Sequence, residues 1–129
     1  MTESKIDWRM EIYDCLREHD IDQVCHVPDA GHATLIRACE ADNSMTVIGL
    51  TSEQDGVGVL TGAWLGGQRG VLLMQSSGVG NTINALAMPN ACRIPFVTIV
   101  SMRGEWGEFV PWQIPMGQAT PDVFNAMGV

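Results

Sequence analysis

Apolar positions along the chain fall into two alternating kinds of segment. Short runs rich in Val and Ile occur at 23–27 (QVCHV), 45–50 (MTVIGL), 70–75 (GVLLMQ) and 96–101 (FVTIVS). Gly, Pro, Asn or Ser bounds each run, which is the pattern of a strand. Between them, residues 31–41, 52–66 and 79–91 read as helices. Before them, 4–19 places Ile6, Met10, Tyr13 and Leu16 on one helical face. Strands apolar on both faces, alternating with helices, predict an α/β fold: an open parallel sheet with helices on both faces, in a single domain spanning 1–129. The rhythm breaks after Met102. Residues 102–120 mix prolines, glycines, Trp106, Phe109 and Trp112 without a period, so they read as a long loop. A last helix is expected at Pro121 as its first residue, with Thr120 as its cap. The chain then stops where another strand is expected, so the sheet is expected to lack its last strand and helix.

Composition narrows the class. With 46% hydrophobic and 17% charged residues the chain has enough apolar content to fold. No run approaches the roughly 18 apolar residues of a membrane span, and no signal peptide opens the sequence. Cys15, Cys25, Cys39 and Cys92 form no CxxC pair, which fits a reduced, cytoplasmic setting. A net charge of −8 disfavours nucleic acid and anionic membrane as partners. The charge is uneven. Residues 1–55 hold twelve carboxylates and four Lys/Arg, whereas 56–104 hold no carboxylate at all. Eleven of the fourteen glycines lie between Gly49 and Gly107, among them the row Gly58, Gly62, Gly66. Glycine costs a helix about 1 kcal/mol per position, so the row needs a reason. We expect that face, with part of 102–118, to bury against a second chain.

In open α/β sheets, ligands sit outside the carboxyl ends of the strands, so chemistry is sought at four junctions. After the second run, Ser52 can cap the helix, with Asp55 completing a capping box. Glu53 then falls in the first turn, where the helix dipole favours a carboxylate. Its spacing also aligns it with Val57, Leu60 and Trp64, the apolar face of its own helix, where a carboxylate must be paired, neutralised or used. Structural and functional readings stand level for it. Gly78-Val79-Gly80 after the third run is either a plain tight turn or a loop whose backbone approaches a flat ligand. Ile83 stands where a dinucleotide fingerprint has its third glycine, and no P-loop lysine follows. Asp29 after Pro28 is a turn residue that can face the site. His19 reads as a helix-end residue, His26 as a strand residue, and His32 as the one histidine close to a junction. Arg103 can pair with an anionic substrate or with a neighbouring carboxylate. No Cys, His and carboxylate set has the spacing of a metal site.

Taken together, Pro28-Asp29, Ser52-Glu53 with Gly56, the Gly-Ala-Trp-Leu-Gly-Gly helix end, Gln75-Ser76-Ser77-Gly78-Val79-Gly80-Asn81 and Ser101-Met102-Arg103-Gly104 resemble the pyrimidine-binding domain of thiamine-diphosphate-dependent decarboxylases. The likeness runs from about residue 5 to 129, and within that superfamily is greatest to sulfopyruvate decarboxylase alpha subunits and to phosphonopyruvate decarboxylase. It implies that Glu53 hydrogen-bonds the pyrimidine N1′ of thiamine diphosphate and promotes the imino form that deprotonates the thiazolium carbon. Asp29 is then catalytic beside the reacting carbon. Pro28, Ser77, Gly78, Val79, Gly80 and Asn81 bind cofactor, and Arg103 and His32 meet the substrate. The family holds diphosphate and Mg2+ with a Gly-Asp-Gly motif, and none occurs in these 129 residues. The resemblance therefore implies a partner beta subunit that carries this part, in a hetero-oligomer. The paired histidines of pyruvate decarboxylases are absent, with Arg103-Gly104 in their place. This implies 3-sulfopyruvate or 3-phosphonopyruvate as substrate. Two rivals are an acetolactate-synthase-like carboligase half and a flavodoxin-like nucleotide-binding module without catalysis.

Overall fold

The computed structural model describes residues 7–129, so Ile6 and the start of the expected first helix lie outside the described residues. Helix α1 (Trp8–Glu18) is capped by Asp7, whose carboxylate accepts the Arg9 amide. There follow β1 (Ile21–His26), α2 (Ala33–Ala41), β2 (Thr46–Gly49), α3 (Glu53–Leu65), β3 (Arg69–Gln75), α4 (Ser76–Cys92), β4 (Thr98–Ser101), a 3-10 turn at Pro111–Gln113, and α5 (Ile114–Met127). The four strands form one sheet in the order β2-β1-β3-β4, every pair parallel.

Strand alternation sorts the core into two layers. Val24, Val71 and Leu73 point to one face and pack with Leu16 of α1 and Leu35, Ile36 and Cys39 of α2. Cys25, Leu72 and Met74 point to the other, against Val57 and Leu60 of α3 and Val79 and Leu86 of α4. Helices thus cover both faces, as the apolar runs predict. Asp42, just after α2, ties the first layer together by accepting from Tyr13 and pairing with Arg17 of α1. Bonds from Ser44, then Tyr13, hold its carboxyl down at about 2.

Three expectations are corrected. Helix α4 starts at Ser76, directly after β3, so Gly78 and Gly80 sit in its first turns and not in a loop before it. Val79, Thr82 and Leu86, all fully buried, extend one helical face to that end and offset the helical cost of the two glycines. Helix α5 starts at Ile114, so Pro121 lies inside it and Thr120 is a buried interior residue whose hydroxyl donates to the Met116 carbonyl at 2.9 Å. An interior proline costs a helix about 3 kcal/mol. Met116, Val123, Phe124 and Met127 offset it by packing on the α3/α4 layer, and Pro115 takes the first-turn place that proline favours. Gly66 is the cap residue after α3, so of that row only Gly58 and Gly62 lie within the helix. Among the described residues no helix is long and apolar enough to cross a membrane.

Candidate active site

The strand order reverses between β1 and β3, and the carboxyl ends at that point are where such sheets take ligands. Two polar groups meet there, one on each side of the sheet.

The first is built on α3 and α4. Glu53 is the first residue of α3 and only 7% exposed, on the same face as buried Val57 and Leu60; Trp64 at the far end emerges into solvent. Its Oε2 accepts from Asn81 Nδ2 at 2.8 Å, while Oε1 has no hydrogen-bond donor among the described residues. The carboxylate lies against Gly78, where a Cβ would overlap it. Glycine at 78 is thus a steric requirement of this carboxylate. Ser52 is the N-cap residue but makes no side-chain cap bond; Thr51 donates to Asp55 instead, so the expected capping box is not formed.

The second group lies on the α1/α2 side. Asp29, in the loop after β1, accepts from Ser101 Oγ at 2.7 Å, Gln75 Nε2 at 3.3 Å and the His32 amide at 3.3 Å. Gln75 ends β3 and Ser101 ends β4, so one carboxylate ties three strand ends together. Gln75 also accepts from Ser77 Oγ at 2.7 Å, which extends the network to the first turn of α4. His32 is the N-cap residue of α2 and 2% exposed; burial lowers its pKa, which keeps the ring neutral at pH 7. Its Nδ1 is 3.4 Å from Asp29 Oδ2 without hydrogen-bond alignment, and among the described residues the Nδ1 of buried His26 likewise has no partner.

Arg103 follows β4 and is held by Glu108, which accepts from Nε at 2.6 Å and from Nη2 at 2.5 Å. Its amide donates to Ser76 Oγ at 2.9 Å. The remaining expected residues separate. Pro28 is exposed beside Asp29, Ser77 bonds Gln75, and Asn81 bonds Glu53. The Val79 side chain is in the core, leaving only its backbone for a ligand. Gly80 faces α5, where a Cβ would stand 3.3 Å from Met116 Sδ. Burial pushes the Cys25 and Cys39 thiols up to about 11, so neither is a thiolate nucleophile near neutral pH.

Sequence reasoning passed over Gln75 and Ser101 as site residues. Strand alternation carries the signal: each lies two residues beyond a residue packed in the α1/α2 layer, Leu73 and Ile99. It also passed over Glu108, for which the signal is the return of carboxylates just past the long stretch that has none.

A buried carboxyl group with one oxygen held and one free, at the switch point of a parallel sheet, can share a proton with a ligand ring nitrogen. Residues 9–126 match the family described as thiamine pyrophosphate enzyme, N-terminal TPP binding domain, and the chain belongs to that family. Among individual proteins, it is 40% identical over 110 residues to the sulfopyruvate decarboxylase subunit alpha of Methanocaldococcus jannaschii, covering 84% of this chain and 65% of that one. The corresponding subunit of Methanothermobacter thermautotrophicus is 36% identical over 126 residues, covering 97% and 76%. A phosphonopyruvate decarboxylase of Streptomyces hygroscopicus is 36% identical over 104 residues, covering 79% of this chain and 26% of its own length. The fold is shared with an enzyme described as thiamin diphosphate-dependent from Mycobacterium smegmatis, at TM-score 0.65 and 17% identity, over 77% of this chain and 19% of that one.

Proposed function

We propose that this chain is the pyrimidine-binding alpha subunit of a thiamine-diphosphate-dependent decarboxylase acting on 3-sulfopyruvate or 3-phosphonopyruvate. The observation that carries the reading is Glu53: buried, held by Asn81 through one oxygen, with the other free and the space around it kept by Gly78. These residues fit the cofactor's aminopyrimidine, which offers a ring nitrogen to a carboxyl group. Glu53 would hold N1′, with Pro28, Ser77, Gly78, Asn81 and the backbone at Val79 and Gly80 around the ring. Bound thiamine diphosphate supplies a thiazolium carbon nucleophile and the electron sink for loss of carbon dioxide.

The chain's own residues supply proton handling and orientation. Glu53 shares a proton at its free oxygen, and Asn81 fixes the carboxylate so that this oxygen stays turned to the ligand. Asp29, locked by Ser101, Gln75 and the His32 amide, presents a fixed carboxylate on the substrate side, with His32 behind it. Arg103 meets the substrate's anionic end. The relatives are named as alpha subunits, which supports a partner. With the relatives named as alpha subunits, a beta subunit is the holder of diphosphate and Mg2+.

Glu53→Gln keeps the shape and loses the acid. Assembled with its partner subunit, this variant is expected to lose decarboxylation by about 10²–10⁴-fold. Exchange of the thiazolium C2 proton, followed by NMR, should slow with it while circular dichroism stays unchanged. Near-normal exchange and turnover in a well-folded variant would overturn the reading, and an acyloin product from the wild type would move it to carboligation.

A further inference from the structure

The notable feature outside the Glu53 and Asp29 groups is the Arg103–Glu108 pair in the segment after β4. Glu108 Oε2 accepts from Arg103 Nε and the Gly104 amide, and Oε1 accepts from Arg103 Nη2 and the Val110 amide. Four donors fill the acceptor sites of this carboxylate, and its side chain is 5% exposed. It cannot swing away without stranding two backbone amides. Arg103 is 25% exposed, and among the described residues its Nη1 has no acceptor. The Phe109 ring lies 5.7 Å from the guanidinium carbon. An immobile Nη1–Nη2 edge is left, the geometry that grips two oxygens of one tetrahedral anion. It borders a hollow of about 290 Å³ lined by Met102, Trp106 and Phe109, together with Glu105.

We propose that Glu108 positions Arg103 as a charge-compensated hydrogen-bond fork, and that this fork favours a singly charged sulfonate over a doubly charged phosphonate. The inference rests on the decarboxylase reading and names its substrate class. The guanidinium charge is cancelled by Glu108, Glu105 lines the same hollow, and the field of Asp29 reaches Arg103 from the β1 side. The fork therefore offers N–H groups without surplus positive charge. A sulfonate needs the hydrogen bonds alone. A phosphonate, carrying close to two charges near neutral pH like a phosphate monoester, meets uncompensated carboxylates as well.

The test measures kcat and KM for 3-sulfopyruvate and 3-phosphonopyruvate with the chain assembled on its partner subunit. The wild type should favour sulfonate, and Glu108→Gln should lower the phosphonate KM relative to the sulfonate KM by about tenfold with the kcat ratio unchanged. Arg103→Lys keeps the charge and loses the fork; it should raise both KM values about tenfold with kcat held. A wild-type complex that turns over, but whose KM ratio ignores Glu108→Gln or whose KM values ignore Arg103→Lys, overturns the inference and leaves the decarboxylase reading standing. If the complex decarboxylates neither acid, that reading fails, and binding of the inert mimics sulfoacetate and phosphonoacetate decides the inference. Tryptophan quenching by sulfoacetate that is lost in Arg103→Lys would support it; no quenching, or equal quenching by both mimics in wild type and Glu108→Gln, would overturn it.

Discussion

Glu53 and Gly78 act as one unit, although they belong to different helices. A methyl group at 78 would occupy the space of the Glu53 carboxyl group, and what stands in its way is the far end of a side chain that can rotate. Gly78→Ala should therefore leave the fold intact. The helix gains about 1 kcal/mol of propensity from the alanine, set against about 1–3 kcal/mol of overpacking. The carboxylate turns off its bond to Asn81. Decarboxylation should fall as far as in Glu53→Gln, and the double variant should fall no further, since both changes remove the same group. Additive losses would show that Gly78 acts apart from Glu53. The spacing of Val57 and Leu60 made the burial of Glu53 legible in the sequence. The purpose of Gly78 was not legible, because its need arises across an interhelical gap and leaves no mark on the local pattern.

At the scale of elements, the segment between β4 and α5 departs most from its sequence pattern. It reads as a structureless loop, yet Glu108 closes residues 103–110 into a turn through four bonds, and Gly104 and Gly117 let its backbone lie directly on the first turns of α5. None of those contacts has a period. Proline preference at a first helical turn also pointed to Pro121, whereas packing on α4 extends α5 seven residues earlier, to Ile114. The β and α elements before Met102 were legible because burial on two faces writes itself into alternation and helical spacing. The turn titrates. Arg103 first, then the Gly104 and Val110 amides, hold the Glu108 carboxyl at about 2, below its ordinary 4.5. A lowered carboxyl pKa stabilises the fold above the unfolded value and loses that contribution as pH falls through the folded value. Between pH 4.5 and 2 the segment should open, seen as faster cleavage by an acid-active protease at 104–110 while helical circular dichroism persists. Glu108→Gln, which has no titrating carboxyl, should show no such acid-dependent rise in cleavage across that range. An equal rise in both proteins would mean the turn is opened by another group.

Over the whole molecule, the charge asymmetry and the bare face of α3 point the same way. All of the net −8 comes from residues 1–55, whereas α3 from Gly56, β3, α4 and β4 carry no carboxylate. Among the described residues a Cβ at Gly58 or Gly62 would meet nothing within 4 Å, so these glycines serve no packing there. Beside them a shallow groove lined by Gly58, Val59, Asn84 and Met88, with Asp55 at its end, runs between α3 and α4, and Leu65 is 76% exposed. Two helical glycines cost about 2 kcal/mol together, a cost that is offset only if another backbone comes close. We propose that this face buries against the partner subunit, with Trp106 and Trp112 extending the contact. Glu53 sits at the amino end of α3 against the first turn of α4, so a chain seated on this face would also approach the cofactor's side. Gly62→Arg places a long charged side chain on that face without touching the core. The isolated chain should keep its circular dichroism and melting temperature within a few degrees, since exposed substitutions shift stability by about 0.5 kcal/mol. Sedimentation with the partner subunit should show at least a tenfold loss of affinity, because a charge buried without a counter-ion costs several kcal/mol at an interface. Assembly at wild-type affinity would place the partner elsewhere and leave the glycines unexplained.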